Sequence, residues 1–273
     1  MFKNRSDHSP FQSVQSFKTS IEFLLTDIDD TLTTDGQLSA EAYQAIWNLK
    51  KNQIKVIAVT GRPAGWCDLI ARLWPVDAVI GENGALYYKY QNKRMKRWYF
   101  EDQEKLLNQN ENLKKIESEI LNQIPNAKIS ADQFCRLYDL AIDFNEDFSE
   151  GESRPSKEEV LKIKKIFEDH NAIAKISSIH VNGWFGNYNK VSTAKLYLNQ
   201  EYHLSESEIL KKCAFVGDSP NDEPLFEYFH HTFGVNNILN YKSQMKSLPF
   251  YLTENNCGEG FVEVANQLVS NLI

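Results

Sequence analysis

Short apolar runs alternate with helix-length amphipathic stretches along most of this chain, and the alternation breaks once, in the middle. "IEFLLTD" opens it, and "SAEAYQAIWNLKKN" follows with helical spacing and Ser39 as its N-cap. "IKVIAVTG" and "GWCDLIARLW" repeat the pair, with Pro75 stopping the second helix, and "VDAVIGENGA" is a third strand ending in a tight turn. Strand and helix in alternation mean βαβ units and a parallel sheet.

The middle reads differently. "ALYYKYQNKRMKRWYF" has the look of a hairpin, "EDQEKLLNQNENLKKIESEILNQI" of a long, mostly polar helix. In "FCRLYDLAIDF" the alternation sends Tyr138, Leu140, Ile142 and Phe144 one way and Asp139, Ala141 and Asp143 the other. "AIAKISSIHVNGWFG" sets Ser178, His180 and Asn182 opposite Ile179 and Val181. This is an antiparallel sheet with helices on one face. From Lys190 the first pattern resumes: "KVSTAKLYLNQEY" as helix, "KCAFVGD" as strand, "PNDEPLFEYF" as helix, "HTFGVN" as strand and "GEGFVEVANQLVSNLI" as a closing helix. The expected architecture is α/β: a Rossmann-like parallel-sheet core (residues 21–84 and 187–273) with an inserted α+β domain (residues 85–186), after a frayed leader (residues 1–20).

With 273 residues, 42% of them hydrophobic, the chain has enough apolar material for a large core plus a smaller one. Its 37 acids outnumber 30 bases, for a formal charge of −7, which argues against a general nucleic-acid binder. Cys67, Cys135, Cys213 and Cys257 lie far apart, with no zinc spacing and no disulfide framework, and read as reduced thiols. The opening stretch lacks the apolar run of a signal peptide, and nowhere is there a run of about 20 apolar residues for a membrane helix. A cytoplasmic protein with neither membrane nor nucleic-acid partners is expected.

The chemistry collects at strand ends. "DIDDT" follows the first strand and crowds Asp27, Asp29 and Asp30 together, where like charges repel and burial raises their pKa values. "TGR" (Thr60, Gly61, Arg62) follows the second, Lys190 stands where the chain re-enters the α/β pattern, and "GDSPND" supplies Asp218, Asn221 and Asp222 after a later strand. In open parallel sheets the carboxyl edge is where ligands bind. Carboxylates there suit Mg²⁺, one carboxylate can attack phosphorus, and one two residues on can move a proton. Thr60 and Lys190 would hold phosphoryl oxygens. Each piece alone is bland: a solvated turn, an N-cap, an exposed lysine. In order, at strand ends, they are not.

"DIDDTLT", "TGRP", Lys190 and "GDSPND" resemble, in that order, the four motifs of the haloacid dehalogenase superfamily of phosphohydrolases. The insert, falling between the second and third motifs, resembles the large class-IIB cap of Cof-like and sugar-phosphate phosphatases. The resemblance implies that Asp27 is a nucleophile forming an aspartyl-phosphate and Asp29 the general acid/base. It implies that Thr60, Gly61 and Lys190 bind phosphate. Mg²⁺ would be held by Asp27, the backbone carbonyl of Asp29, and Asp218, with Asn221 and Asp222 supporting the set. "GENGA" resembles the loop joining core to cap, and Asp30 stands where many members carry glycine. Substrate selection would fall to the polar cap face: Arg136, Asp139, Asp143, His180 and Asn182, with Trp184 either stacking on a sugar or packing at the hinge. The expected function is hydrolysis of a small phosphorylated metabolite, above all a sugar phosphate. The rivals are a phosphomutase of the phosphomannomutase kind and a catalytically silent binding protein.

Overall fold

The computed structural model describes residues 11–100 and 103–272. The chain runs through β1 (Gln12–Ser13), β2 (Phe23–Thr26), α1 (Ala40–Lys51), β3 (Lys55–Val59), α2 (Ala64–Leu73), β4 (Ala78–Gly81), β5 (Leu86–Gln91) and β6 (Arg94–Tyr99). The insert follows with α3 (Gln103–Gln123), β7 (Lys128–Ile129), β8 (Asp139–Asp143), α4 (Lys157–Asp169), β9 (Ile173–Ile176) and β10 (His180–Trp184). The return brings α5 (Lys190–Tyr202), α6 (Glu206–Lys212), β11 (Cys213–Gly217), α7 (Glu223–Tyr228), β12 (His231–Gly234), β13 (Tyr251–Leu252) and α8 (Cys257–Ser270).

The larger sheet has the order β1-β13-β12-β11-β2-β3-β4-β5-β6, parallel from β1 to β4 and antiparallel at β5 and β6. β2 lies centrally and is buried along its whole length, because helices cover both faces and leave no side for a polar residue. Leu24, Val56, Ala58 and Val216 face α1, α2 and α8; Phe23, Leu25, Ile57, Val59 and Phe215 face α5, α6 and α7. Local chemistry sets the helix ends: Ser39 Oγ accepts the Ala42 N–H, and Lys50 and Lys51 sit at the negative end of α1.

The insert is the expected antiparallel sheet, in the order β7-β8-β10-β9. Leu140, Ile142 and Val181 point from it into α3 and α4, where Ile116, Ile120, Ile163 and Phe167 close a separate core. Gly183 is needed there, since a Cβ would lie 2.1 Å from the Phe167 ring. The other face, with Asp139, His180 and Asn182, turns toward the carboxyl edge of the large sheet.

Two boundaries differ from those expected. The hairpin β5–β6 was read as part of the insert, but β5 pairs antiparallel with β4 and extends the large sheet. Alternation identifies a strand without saying which sheet takes it. Residues 11–20, read as leader, carry β1, which pairs with β13, and bury Val14 and Phe17 among Phe233, Tyr251 and α8. Burial of such side chains contributes roughly 1.5–3 kcal/mol each, enough to anchor a segment whose other residues look polar. The remainder of the leader, residues 1–10, lies outside the described residues.

Candidate active site

β2 ends at Asp27, between β11 and β3, so the "DIDDT" loop opens at the middle of the sheet's carboxyl edge. β3 leads into Thr60-Gly61-Arg62, β11 into Asp218, and α5 begins with Lys190. Asp27, Thr31, Lys190 and Asp218 converge on one buried cluster, which Asp222 completes. Lys190 Nζ donates to Asp27 Oδ1 at 3.0 Å and to Asp222 Oδ1 at 2.8 Å. The second oxygen of Asp222 accepts the Asp218 N–H at 3.2 Å, an approach that Gly217 permits because a Cβ would lie 2.5 Å from it. Asp218 accepts from the Thr31 hydroxyl (3.0 Å) and from Asn237 Nδ2 (3.3 Å).

Asp27, Asp218 and Asp222 each bring a carboxylate oxygen within 4.8 Å of the others. Three acids face one ammonium in a dry place. Burial, and then Asp222, push the Asp27 carboxyl up to about 8 against the pull of Lys190. Burial followed by Asp222 and Asp27 raises Asp218 well above the ordinary range. Lys190, despite burial, is held charged by Asp222 and Asp27. The missing positive charge and the oxygen-only donors fit a hard divalent cation. Asp222 already serves Lys190 and the backbone, so it orients the pair Asp27–Asp218 more than it offers itself.

The Asp29 side chain stands apart. Arg62 clasps it, Nε at 2.9 and 3.1 Å from its two oxygens and Nη2 at 2.7 Å. On the far side, Arg62 donates to Glu146 of the insert, Nη2 to Oε1 at 2.5 Å and Nη1 to Oε2 at 3.2 Å. Asp30 has φ 54°, the left-handed conformation for which glycine is the usual residue, and its carbonyl accepts from Asn237 at 3.0 Å. Thr60 is fully buried, its hydroxyl oxygen accepting the Arg62 N–H at 3.0 Å.

The insert closes over this edge. Of its five expected residues, His180 and Asn182 reach the cavity wall, beside Asp27, Asp29, Gly61, Arg62, Ser177 and Ser178. The other three serve the scaffold. Arg136 donates to Asp132 (2.9 Å), Asp139 (2.9 Å) and the Gly61 carbonyl (2.8 Å). Asp139 also accepts from Asn182 at 2.8 Å. Asp143 accepts the N–H groups of Asn145, Glu146 and Asp147 at 2.8–2.9 Å, shaping the turn that carries Glu146. Trp184 is buried against Tyr188 at the hinge and does not face the cavity. The cavity holds about 10 Å³, room for a single water at most. This is a closed form.

Glu146 and Asn237 had no signal in the sequence beyond their neighbours, whereas Glu82 stands in "GENGA", which turns from β4 into β5 within the large sheet instead of leading the chain from core to insert. Glu82, fully buried, accepts the N–H groups of Ala64 (2.9 Å), Leu137 (2.9 Å) and Tyr138 (2.6 Å), tying core to insert. Burial, then Asp139, push its carboxyl up to about 7.

The family model of haloacid dehalogenase-like hydrolases matches residues 24–124. No curated protein matches the sequence. Among solved structures, Thermoplasma acidophilum 0175 superposes with a TM-score of 0.69 at 18% identity, over 93% of this chain and 100% of that one. The sucrose-phosphatase of Synechocystis, solved with sucrose and phosphate, gives 0.58 at 17% identity over 92% and 98%. A phosphatase of the haloalkanoate enzyme superfamily from Bacteroides thetaiotaomicron gives 0.60 at 16% identity over 92% and 96%. At these identities the likeness is one of fold. Together with the family match, which takes in the first two of the four motifs, it agrees with the resemblance read from the sequence: a haloacid dehalogenase-like fold with an inserted cap.

Proposed function

We propose that the protein is a Mg²⁺-dependent phosphomonoesterase acting on a small phosphorylated metabolite of the sugar-phosphate kind, through an aspartyl-phosphate. The observation that carries this is the Lys190 ammonium bridging Asp27 and Asp222 beside Asp218, at the sheet's carboxyl edge. Asp27 and Asp218 would hold the cation, which supplies charge neutralisation to the phosphoryl oxygens and keeps Asp27 ionised.

Asp27 attacks phosphorus and the ester P–O bond breaks. Asp29, as carboxylic acid, gives its proton to the leaving alkoxide. Asp29, now a carboxylate, takes a proton from water as the water attacks the aspartyl-phosphate, releasing phosphate and restoring Asp27. Lys190 and Thr60 hold the transferring group in line. Because the closed cavity admits no substrate, the cap must open to load, and its return excludes water. Opening withdraws Glu146 of the insert from Arg62, which stays on the core with Asp29.

The sucrose-phosphatase likeness and the polar cavity wall (Ser177, Ser178, His180, Asn182) support a polyhydroxylated leaving group. Among the described residues no helix is long and apolar enough to cross a membrane, and the acidic charge balance supports a cytoplasmic enzyme with small-molecule partners only. The test is phosphate release from a panel of phosphomonoesters, with Mg²⁺ and with chelator, beside Asp27→Asn. Mg²⁺-dependent release that vanishes in the variant is expected. Release that persists in Asp27→Asn removes Asp27 as nucleophile. Silence across the panel, with turnover appearing only when a sugar bisphosphate activator is added, favours the mutase.

A further inference from the structure

Glu146 sits in an unusual place for a cap side chain. Its carboxylate receives the two Nη groups of Arg62, at 2.5 and 3.2 Å, and lies 3.0 Å from His180 Nε2. The guanidinium meets this carboxylate with two parallel N–H groups, the fashion by which arginine recognises free carboxylates, and the His180 imidazole lies alongside with Nε2 making no hydrogen bond among the described residues. Both groups are built in: the side chains of Arg62 and His180 are 3% and 2% exposed, whereas that of Glu146 is 25% exposed. Asp143 fixes the turn that aims Glu146. Burial notwithstanding, the neighbouring His180 and the hydrogen bonds from Arg62 bring the Glu146 carboxyl down to about 2, so it stays anionic there.

Arg62 and His180 both line the cavity that Asp27 and Asp29 line, and that cavity is too small for any substrate while the cap is closed in this way. The group most able to leave is the partly exposed Glu146. What it vacates is a receptor shaped and charged for a carboxylate, next to the residue that protonates the leaving group. A neutral hydroxyl there leaves Arg62 with Asp29 and a more distant Asp132 oxygen at 3.5 Å. A ligand carboxylate restores the charge balance seen now.

We propose that Arg62 and His180 form a carboxylate receptor for the leaving-group end of the substrate, and that Glu146 fills it as an internal mimic in the unliganded enzyme. The substrate class is then a phosphorylated hydroxy acid or sugar acid. This rests on the phosphomonoesterase reading and narrows it.

Matched pairs test it: 3-phosphoglycerate against glycerol 3-phosphate, and 6-phosphogluconate against glucitol 6-phosphate, with 4-nitrophenyl phosphate as the common reference. The acid of at least one pair is expected to show kcat/KM roughly tenfold or more above its alcohol, the scale of one charge-assisted contact. Glu146→Gln is expected to lower KM for that acid several-fold and to widen the ratio. Equal or reversed preference in both pairs, or a ratio that Glu146→Gln leaves alone, overturns the proposal. Calorimetric titration of the Asp27→Asn protein with the same pairs separates the two readings. Acid-selective binding without turnover in the wild type sinks the phosphatase assignment and keeps the receptor. Turnover of the aryl phosphate without acid selectivity does the reverse.

Discussion

Arg136 of the cap donates to the carbonyl of Gly61 in the core at 2.8 Å, placing a cap cation directly on the loop that carries Thr60 and Arg62. The same guanidinium holds Asp132 and Asp139, and Asp139 accepts from Asn182 on the cavity wall. Cap closure and the shape of the candidate phosphate loop are thus joined through one side chain, reinforced by the Arg62–Glu146 contact a few ångströms along. Both contacts are polar and both cross the gap that must open. They suit a joint that is broken and remade in each cycle better than an apolar seam would.

Arg136→Lys is expected to weaken that joint. An ammonium cannot reach Asp132, Asp139 and the Gly61 carbonyl together, so one buried carboxylate loses its partner. Loss of a buried ion-pair partner costs about 3–5 kcal/mol, and a retained single charge roughly halves that. Thermal melts should show the loss, and steady-state kinetics should show KM raised more than kcat is lowered. An unchanged melt together with an unchanged KM contradicts the assignment.

Metal binding should release protons. With no cation present, the Asp27 carboxyl is pushed up to about 8, so it carries a proton at neutral pH, and a cation must displace it. Asp218, the other carboxylate that would hold the cation, is raised as well, so apparent Mg²⁺ affinity is expected to fall by about tenfold or more for each pH unit below 8. Calorimetry in two buffers of different ionisation enthalpy gives the proton count: between one and two at pH 7 and fewer at pH 9. No proton release at pH 7 means that Asp27 is already ionised without the cation.

The candidate site at the sheet's edge was legible because its residues lie next to the strands that place them. Asp27, Thr60 and Asp218 are each within a residue or so of a buried strand, and strand order alone brings them together. Lys190 needed only a helix start. The cap was legible in part: alternation correctly turned His180 and Asn182 away from the cap's own core. It could not say that Arg136, Asp139 and Asp143 would spend their charges on one another and on backbone N–H groups. Most of those partners lie within the insert itself, and only the Gly61 carbonyl lies across the gap; alternation sorts faces but does not say which group a side chain or a strand pairs with. The hairpin went to the wrong sheet, and Phe17 to a leader, for the same reason.

Glu82 should give stability a pH slope of definite sign. Burial raises its carboxyl from an ordinary 4.5 to about 7 in the folded chain. Between those values the folded state binds more protons than the unfolded one, so its contribution to stability is full below about pH 4.5 and is lost as pH rises through 7. Glu82→Gln does not titrate. The stability margin of wild type over Glu82→Gln, from urea unfolding with Mg²⁺ present throughout, is expected to shrink on the order of 1–3 kcal/mol between pH 4.5 and 7.5. A margin that grows over this range would reverse the inferred ionisation.

The turn between β4 and β5 is the last point of attack. Glu82, Asn83 and Gly84 run through φ values of 44°, 57° and 108°, a left-handed stretch that turns the chain from β4 back along β5. Asparagine tolerates such a conformation, and glycine adopts it freely. At Gly84 space is also short, since a Cβ would lie 2.4 Å from the Asn189 carbonyl oxygen, one residue before Lys190. Thr193 donates to the Gly84 carbonyl at 2.6 Å, so the start of α5 is bound to this turn. Gly84→Ala therefore pushes backbone against backbone just where Lys190 is aimed at Asp27. The expected result is a loss of about 2–4 kcal/mol in stability and a fall in kcat larger than any change in KM. Asn83→Gly, which relieves the left-handed strain without adding a Cβ, should leave the fold in place. If Gly84→Ala melts and turns over like the wild type, the turn is free to shift, and Lys190 is not positioned through it.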